Sequence, residues 1–281
     1  YVFDVGPISK EENDRVRAAL SGNPPLLDYF RKAGFEIAYT ENSWQGSHCG
    51  AAVDICIRDG FTERVVWKLA QITIFAPLVS SAMPHPFNTI SLSHLESLPA
   101  HLSTDRIADV PRLLISHVIL PHPPLMLDAE CNRFNTATRR VFETSDEEIA
   151  ALGRGFYVEQ LKCTNDKTLD AIDEILANRP DTIFMITGDH GPASIRPLVN
   201  GEGVWTQTGL RERMQILSAY RLPGCDVDLY PTITPVNGAR SITDCATDSK
   251  LDLIEDRSFW APPVGRGEVT TLKSQMATSL P

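Results

Sequence analysis

The sequence is short of most features that would place a chain in a special class. Among its 281 residues no run of about 18 uninterrupted apolar positions occurs. The longest candidate, Leu69 to Met83, is broken by Gln71, Pro77 and a Ser-Ser pair, which excludes a membrane-spanning helix there. No cluster of basic side chains is longer than Arg139-Arg140, and the net charge is −10, from 26 Lys+Arg against 36 Asp+Glu. That balance excludes a general nucleic-acid binder, which needs a basic face to release counterions. Cysteine is sparse: six residues, none in a C-x-x-C pair, too few for a disulfide scaffold and poorly spaced for a zinc knuckle or a thioredoxin motif. Repeats and low-complexity tracts are missing too. What remains is ordinary globular composition, 42% hydrophobic and 22% charged, which excludes disorder and coiled coil.

Short apolar runs alternate with amphipathic stretches, the pattern of an α/β chain with a predominantly parallel central sheet flanked by helices. Candidate strands are Tyr1 to Val5, Phe35 to Tyr39, Leu113 to Leu120, Thr182 to Thr187 and Met214 to Tyr220. The clearest helix opens at the capping-box spacing of Ser145 and Glu148 and ends at Asn178-Arg-Pro180. A shorter one, Leu26 to Ala33, follows Pro24-Pro25 and is closed by Gly34. Residues 57 to 110, interrupted by Pro77, Pro84 and Pro86, read as a helix and then an irregular excursion. The tail after Asp248 is expected to pack on the main body. No linker is visible, so a single domain over 1–281 is expected. Because Tyr1-Val2-Phe3 is already strand-like, with no initiator Met or signal peptide, the natural chain is expected to begin upstream. Sequential cysteine pairing (49–56, 131–163, 225–245) would suit an oxidising compartment; reduced core cysteines are the other reading.

Ligands of a doubly wound sheet bind at the carboxyl ends of its strands, so polar residues just after apolar runs are the candidates for chemistry. Asp4 follows the first run, although an Asp there also caps helices. Gly188-Asp189-His190-Gly191 follows Thr182 to Thr187. A carboxylate beside an imidazole suits zinc or manganese, and flanking glycines permit the sharp turn that two adjacent ligands require. The plainer reading is a Gly-Asp turn with a solvated histidine. Ser47 precedes the apolar Ala51 to Ile57 and could start a helix, where free N–H groups favour an alkoxide or phosphate, or it could be a plain N-cap. Gln45 stands where a serine-hydrolase elbow needs glycine, which disfavours an acyl-transfer triad. Cys49 is the rival nucleophile, without a nearby Lys or Arg to lower its pKa. His117 lies among Ile115, Val118 and Ile119 and could equally be a core histidine, whereas His122 is set between Pro121 and Pro123-Pro124, a stretch that fixes its direction.

Taken in order, these segments resemble the sulfatase-like hydrolases and transferases of the alkaline-phosphatase superfamily, in particular the membrane-anchored lipoteichoic-acid-synthase and phosphoethanolamine-transferase-like members. Tyr1 to Asp4 looks like the first strand with its metal Asp, Ser43 to Ser47 like the nucleophile segment, and His117 to Pro124 like the His-x-x-x-Pro-His-x-Pro stretch. Tyr157 to Ile175 is similar to the Tyr-x-x-Gln-x-x-x-x-Asn helix, and Gly188 to Gly191 to the second metal motif. Arg213 to Pro223 and Thr234 to Arg240 resemble the later Arg-x-x-x-Leu-x-Ala-Tyr-x-x-Pro and Thr-Pro-Val-Asn-x-x-Arg segments. Residues 57 to 110 and the last twenty match nothing in the family's pattern.

The resemblance implies a metal-dependent phosphoryl-transfer enzyme, a phosphate-ester or phosphodiester hydrolase or a phospholipid-headgroup transferase. By it, Ser47 is the nucleophile; Asp4, Ser47, Asp189 and His190 bind one divalent ion, Mn or Zn with Mg or Ca as alternatives; and His117 and His122 face the substrate's anionic group. It also implies a periplasmic or extracytoplasmic domain held at a membrane by an upstream segment, acting on a small-molecule or lipid-headgroup anionic ester. Two alternatives stay open. A sulfatase would use Cys49 converted to formylglycine, although Cys49-Gly-Ala-Ala-Val53 lacks the Arg of that motif. A pseudo-enzyme would keep the fold as an anionic-ligand binding domain, since Ser47 stands where the family has Thr.

Overall fold

The computed structural model describes residues 24–42, 49–58, 66, 69–70, 72–74, 86–103, 110–134, 147–192, 207–260 and 270–272. The expected first strand with Asp4, the segment with Ser47 and the Ser145 cap lie outside them. The chain divides into two compact units, residues 18–180 and residues 1–17 with 181–281.

In the 18–180 unit, helix α1 (Leu27–Lys32) starts after Pro24 and Pro25, whose carbonyls accept the Leu27 and Asp28 N–H groups at 3.0 and 3.2 Å. It ends where Gly34 takes φ +84°, a left-handed conformation that costs glycine little. Leu27 and Phe30 are buried, and Phe30 meets Phe35 edge-to-face at 5.3 Å. The turn feeds strand β1 (Glu36–Thr40), which lies between β2 (Ile55–Ile57) and β3 (Arg112–Ser116), parallel to both. Ile37, Ala38 and Thr40 are fully buried, as expected of a central strand covered on both faces. At the start of the sheet Arg112 pairs with Glu36 at 2.6 Å.

Helix α2 (Pro86–Ser103) packs on β3 and on helix α3 (Glu147–Asn178). α2 occupies part of the stretch expected to be irregular: Pro86 stands in its first turn, where the missing N–H needs no partner. The expected helix onset at Ala51 to Ile57 is instead a turn and β2, because Ile55 to Ile57 pair with Ala38 to Thr40. α3 ends at Asn178, as its sequence signals predict. The excursion 117–134 lies against it, with Leu120, Leu127 and Cys163 buried together and Leu92, Val118 and Cys131 packed around them. Mixed α/β content, with a three-stranded all-parallel sheet flanked by helices, is therefore present.

In the other unit β4 (Phe184–Thr187) pairs antiparallel with β5 (Ser218–Arg221). The expected strand Met214 to Tyr220 is thus shorter and shifted, its first residue closing helix α4 (Gln207–Met214). Here the parallel expectation gives way to an antiparallel pair. Helix α5 (Pro235–Thr247) packs on β4; Thr234 Oγ1 caps it and Pro235 opens it. Gly238 is needed where α5 meets Tyr220, since a Cβ there would lie 2.1 Å from the phenol oxygen. The last described pair, β6 (Ser258–Trp260) and β7 (Thr270–Leu272), is antiparallel. No helix among the described residues is long and apolar enough to cross a membrane.

Candidate functional site

The six cysteines form three bridges, 49–56, 131–163 and 225–245, the sequential pairing. Bonds of this kind persist in an oxidising, extracytoplasmic compartment. With Cys49 bonded to Cys56 its sulfur carries no thiol, so neither a thiolate nucleophile nor formylglycine has support there. Glu41 lies beside this bridge: Oε2 is 3.4 Å from Cys56 Sγ and accepts from Cys49 N at 3.4 Å and Arg58 Nε at 3.3 Å. Glu41, Cys49 and Cys56 have the spacing of metal ligands, but disulfide sulfurs lack the thiolate charge that binds zinc, so in this state the trio is not a metal site.

In the 18–180 unit the candidate residues follow β1 and β3 at their carboxyl ends. Buried Asn42, just past β1, donates from Nδ2 to the His117 carbonyl at 2.6 Å, and Thr40 Oγ1 donates to Ser116 Oγ at 2.9 Å, so the two strand exits are joined. His117 is half-buried. His122 is exposed, with Nδ1 2.5 Å from the Pro123 carbonyl, between the cis bonds Leu120-Pro121 and Pro123-Pro124. The excursion is fastened to one face of α3 by residues spaced i, i+3, i+4 and i+7. Phe156 meets Phe134 edge-to-face at 4.8 Å, Glu159 accepts from Ala129 N at 3.3 Å, Gln160 holds residues 121–127, and Cys163 is bonded to Cys131. Asn42 and Gln160 are functional candidates that reasoning from local pattern missed; the Tyr157-x-x-Gln160 motif was the available signal.

In the other unit the Gly188–Gly191 turn leaves the carboxyl end of β4. Gly188 N donates to the Leu217 carbonyl at 3.0 Å. Gly191 N donates to the Arg213 carbonyl at 2.8 Å, and Arg213 Nη1 donates back to the Gly191 carbonyl at 2.8 Å. The approach is so close that a Cβ on Gly191 would sit 1.9 Å from the Glu212 carbonyl oxygen. This brings Asp189 and His190 together: Asp189 Oδ1 accepts from His190 N at 2.9 Å, and Oδ2 lies 3.3 Å from His190 Nε2. His190 Nδ1 is 3.1 Å from the Gly191 carbonyl, which can only accept, so this contact is a hydrogen bond when Nδ1 carries the proton. Nε2 is then either a second N–H paired with the carboxylate or a bare lone pair beside it. The bare form fits a divalent cation in donor chemistry, an imidazole held by a backbone carbonyl next to a carboxylate. Both side chains are solvent-accessible.

A second polar cluster among the described residues of this unit lies elsewhere. Asp256 Oδ1 accepts from Thr234 N at 3.0 Å and Asn237 Nδ2 at 2.9 Å, and its carboxylate also takes the Thr234 and Tyr230 hydroxyls. Burial pushes Asp256 up, but these hydrogen bonds outweigh it and hold the carboxyl below its ordinary value. The bond to Asp256 in turn raises the Tyr230 phenol. With both carboxylate oxygens engaged, the cluster fastens residues 251–257 to the start of α5.

Comparison with family models, with curated proteins and with solved structures finds no match to this chain.

Proposed function

We propose that the protein is a metal-dependent phosphoryl-transfer enzyme of the sulfatase-like, alkaline-phosphatase-superfamily kind, acting on phosphate esters or phosphodiesters at the outer side of a membrane. The observation that carries this reading is the Asp189–His190 pair, with Nδ1 3.1 Å from the Gly191 carbonyl and Nε2 3.3 Å from the carboxylate, on a turn closed by backbone bonds to Leu217 and Arg213. Its place at a strand's carboxyl end supports the same reading. By the resemblance, Asp4, Asp189 and His190, all of the unit made of residues 1–17 and 181–281, would hold one divalent ion, Mn or Zn, which when bound lowers the pKa of a hydroxyl and neutralises phosphoryl charge. Ser47 Oγ attacks phosphorus and the alcohol leaves; water or an acceptor alcohol then breaks the phosphoserine bond and restores the hydroxyl. His117 and His122 bind the non-bridging oxygens of the anion. A second reading, an ion-paired His190 in a domain that binds an anionic ligand without turnover, is favoured by the same 3.3 Å contact if Nε2 is protonated.

Metal content measured by mass spectrometry after dialysis against Mn and Zn, beside bis(p-nitrophenyl) phosphate turnover, tests the two. About one ion per chain, lost in Asp189→Ala, with turnover at least about 10³-fold lower in Ser47→Ala, is the expected result. No ion, with equal rates for wild type and Ser47→Ala, overturns it in favour of the ion pair.

A further inference from the structure

We propose that Gln160 is a positioning residue that sets the direction of His122. Gln160 is wholly buried in α3, and every hydrogen-bonding position of its amide is taken by the excursion that carries His122. Oε1 accepts from Met126 N at 2.8 Å and Leu127 N at 3.2 Å. Nε2 donates to the Pro121 carbonyl at 3.2 Å and the His122 carbonyl at 3.3 Å. Four backbone groups, two on each side of the 123–125 bend, thus close on one side chain. Reversing the amide would set its NH2 against two N–H groups, so this orientation alone satisfies all four. The His122 carbonyl is itself one of these partners, and His122 N donates to Ile119 O at 2.9 Å, so the backbone bearing the imidazole is held from both ends of its residue.

Phe156, Glu159 and Cys163 fasten the excursion at Phe134, Ala129 and Cys131. Of the three, Cys163 also packs against Leu127, and Phe134 N donates to Met126 O at 2.7 Å, so the far side of the neck has a second hold, while Gln160 Nε2 reaches the Pro121 and His122 carbonyls on the near side. Removing the Gln160 amide therefore leaves the excursion attached but takes away the tether between α3 and the Pro121 and His122 carbonyls. An apolar side chain in its place would remove the acceptor for the buried Met126 and Leu127 N–H groups and the donor to the part-buried Pro121 and His122 carbonyls, and the neck would shift to find water. A displacement of about 1 Å in a substrate-facing group costs about 100-fold in rate. That His122 faces the substrate rests on the proposed phosphoryl-transfer reading; that Gln160 holds it does not.

The test uses the full chain with 13C-labelled histidine, as wild type, Gln160→Leu and Gln160→Glu. Glu keeps the acceptor for Met126 and Leu127 but turns an oxygen toward the Pro121 and His122 carbonyls, so it removes only the donor half. In both variants the His122 ring resonance is expected to shift and broaden while that of His190, in the other unit, stays in place. Met126 and Leu127 amides should exchange at least about 10-fold faster in Gln160→Leu and remain protected in Gln160→Glu. With bis(p-nitrophenyl) phosphate, kcat/KM should fall about 100-fold in both. A His122 resonance unchanged in both variants, or an unchanged kcat/KM, overturns the proposal. If the wild type turns nothing over, the phosphoryl-transfer reading fails on its own and the resonance alone decides Gln160.

Discussion

The 117–134 excursion and the Gly188–Gly191 turn both leave the end of a strand and both carry candidate site residues, yet they are held in opposite ways. The excursion is long and fixed by side chains from one helix face and by the Cys131–Cys163 bridge. The turn is four residues, fixed by backbone bonds to Leu217 and Arg213 and by the missing side chain of Gly191. A long loop has much chain entropy to lose, so it needs cross-links; a tight turn has little, so shape alone determines it. The first should tolerate extra bulk but not the loss of a link, the second the loss of a side chain but not one added carbon.

The largest effect should come from the link. Replacing Cys131 and Cys163 together by Ser opens a loop of sequence separation 32, and chain-entropy estimates put the loss at about 3–4 kcal/mol, measurable by urea unfolding. Next is the added carbon: Gly191→Ala should cost about 3 kcal/mol and abolish binding of Mn or Zn, because the methyl meets carbonyl oxygens that cannot move without shifting α4. Gly188→Ala is the control. Its Cβ would meet Ile216 Cβ at 3.6 Å, ordinary contact, and the stability change should stay within about 0.5 kcal/mol. Equal costs at the two glycines would break the comparison.

Asp256 supplies a third mode, anchorage by charge. Its folded pKa is lowered, so its contribution is fully present above the unfolded carboxyl value near 3.9 and is lost as pH falls through the folded one. The Tm gap between wild type and Asp256→Asn should therefore be widest above about pH 5 and close on further acidification. A gap independent of pH would mean that shape, not charge, holds the tail. The smallest effect is expected from Glu159→Ala, the excursion's solvent-screened link and so the exception to the rule that a lost link is costly. Its bonds to Lys162 and Ala129 are solvent-screened, and the urea midpoint should not move measurably.

Elements whose own sequence carries the signal were legible: β1 from its buried apolar run, β3 from its apolar run although the strand expected over Leu113 to Leu120 ends at Ser116, α3 from its period and its Asn178-Arg-Pro180 stop, and α1 from Pro24-Pro25 and Gly34. The Gly-Asp-His-Gly turn was legible for the same reason, since its glycines report a local constraint. β2 was not, because three residues, Ile55 to Ile57, show no period and become a strand only by pairing with β1. α2 is hidden in the sequence because a proline signals an interruption as readily as a helix start, and Pro86 is a start. Asn42 and Gln160 did not show as anchors in any local pattern, since their partners lie 75 residues away in one case and 33 to 39 in the other. The fit of Asp4 and Ser47 to the proposed roles rests on motif resemblance.

The three bridges never overlap along the chain: each cysteine is joined to the next one in sequence, and each bridge closes within one unit. Of the 15 ways to pair six cysteines, this arrangement alone joins every cysteine to its nearest neighbour along the chain. A chain threading N-terminus first into an oxidising compartment would meet each native partner as the next thiol to emerge. Its correct connectivity is thus the one that vectorial export makes first, with little demand for later reshuffling by an isomerase.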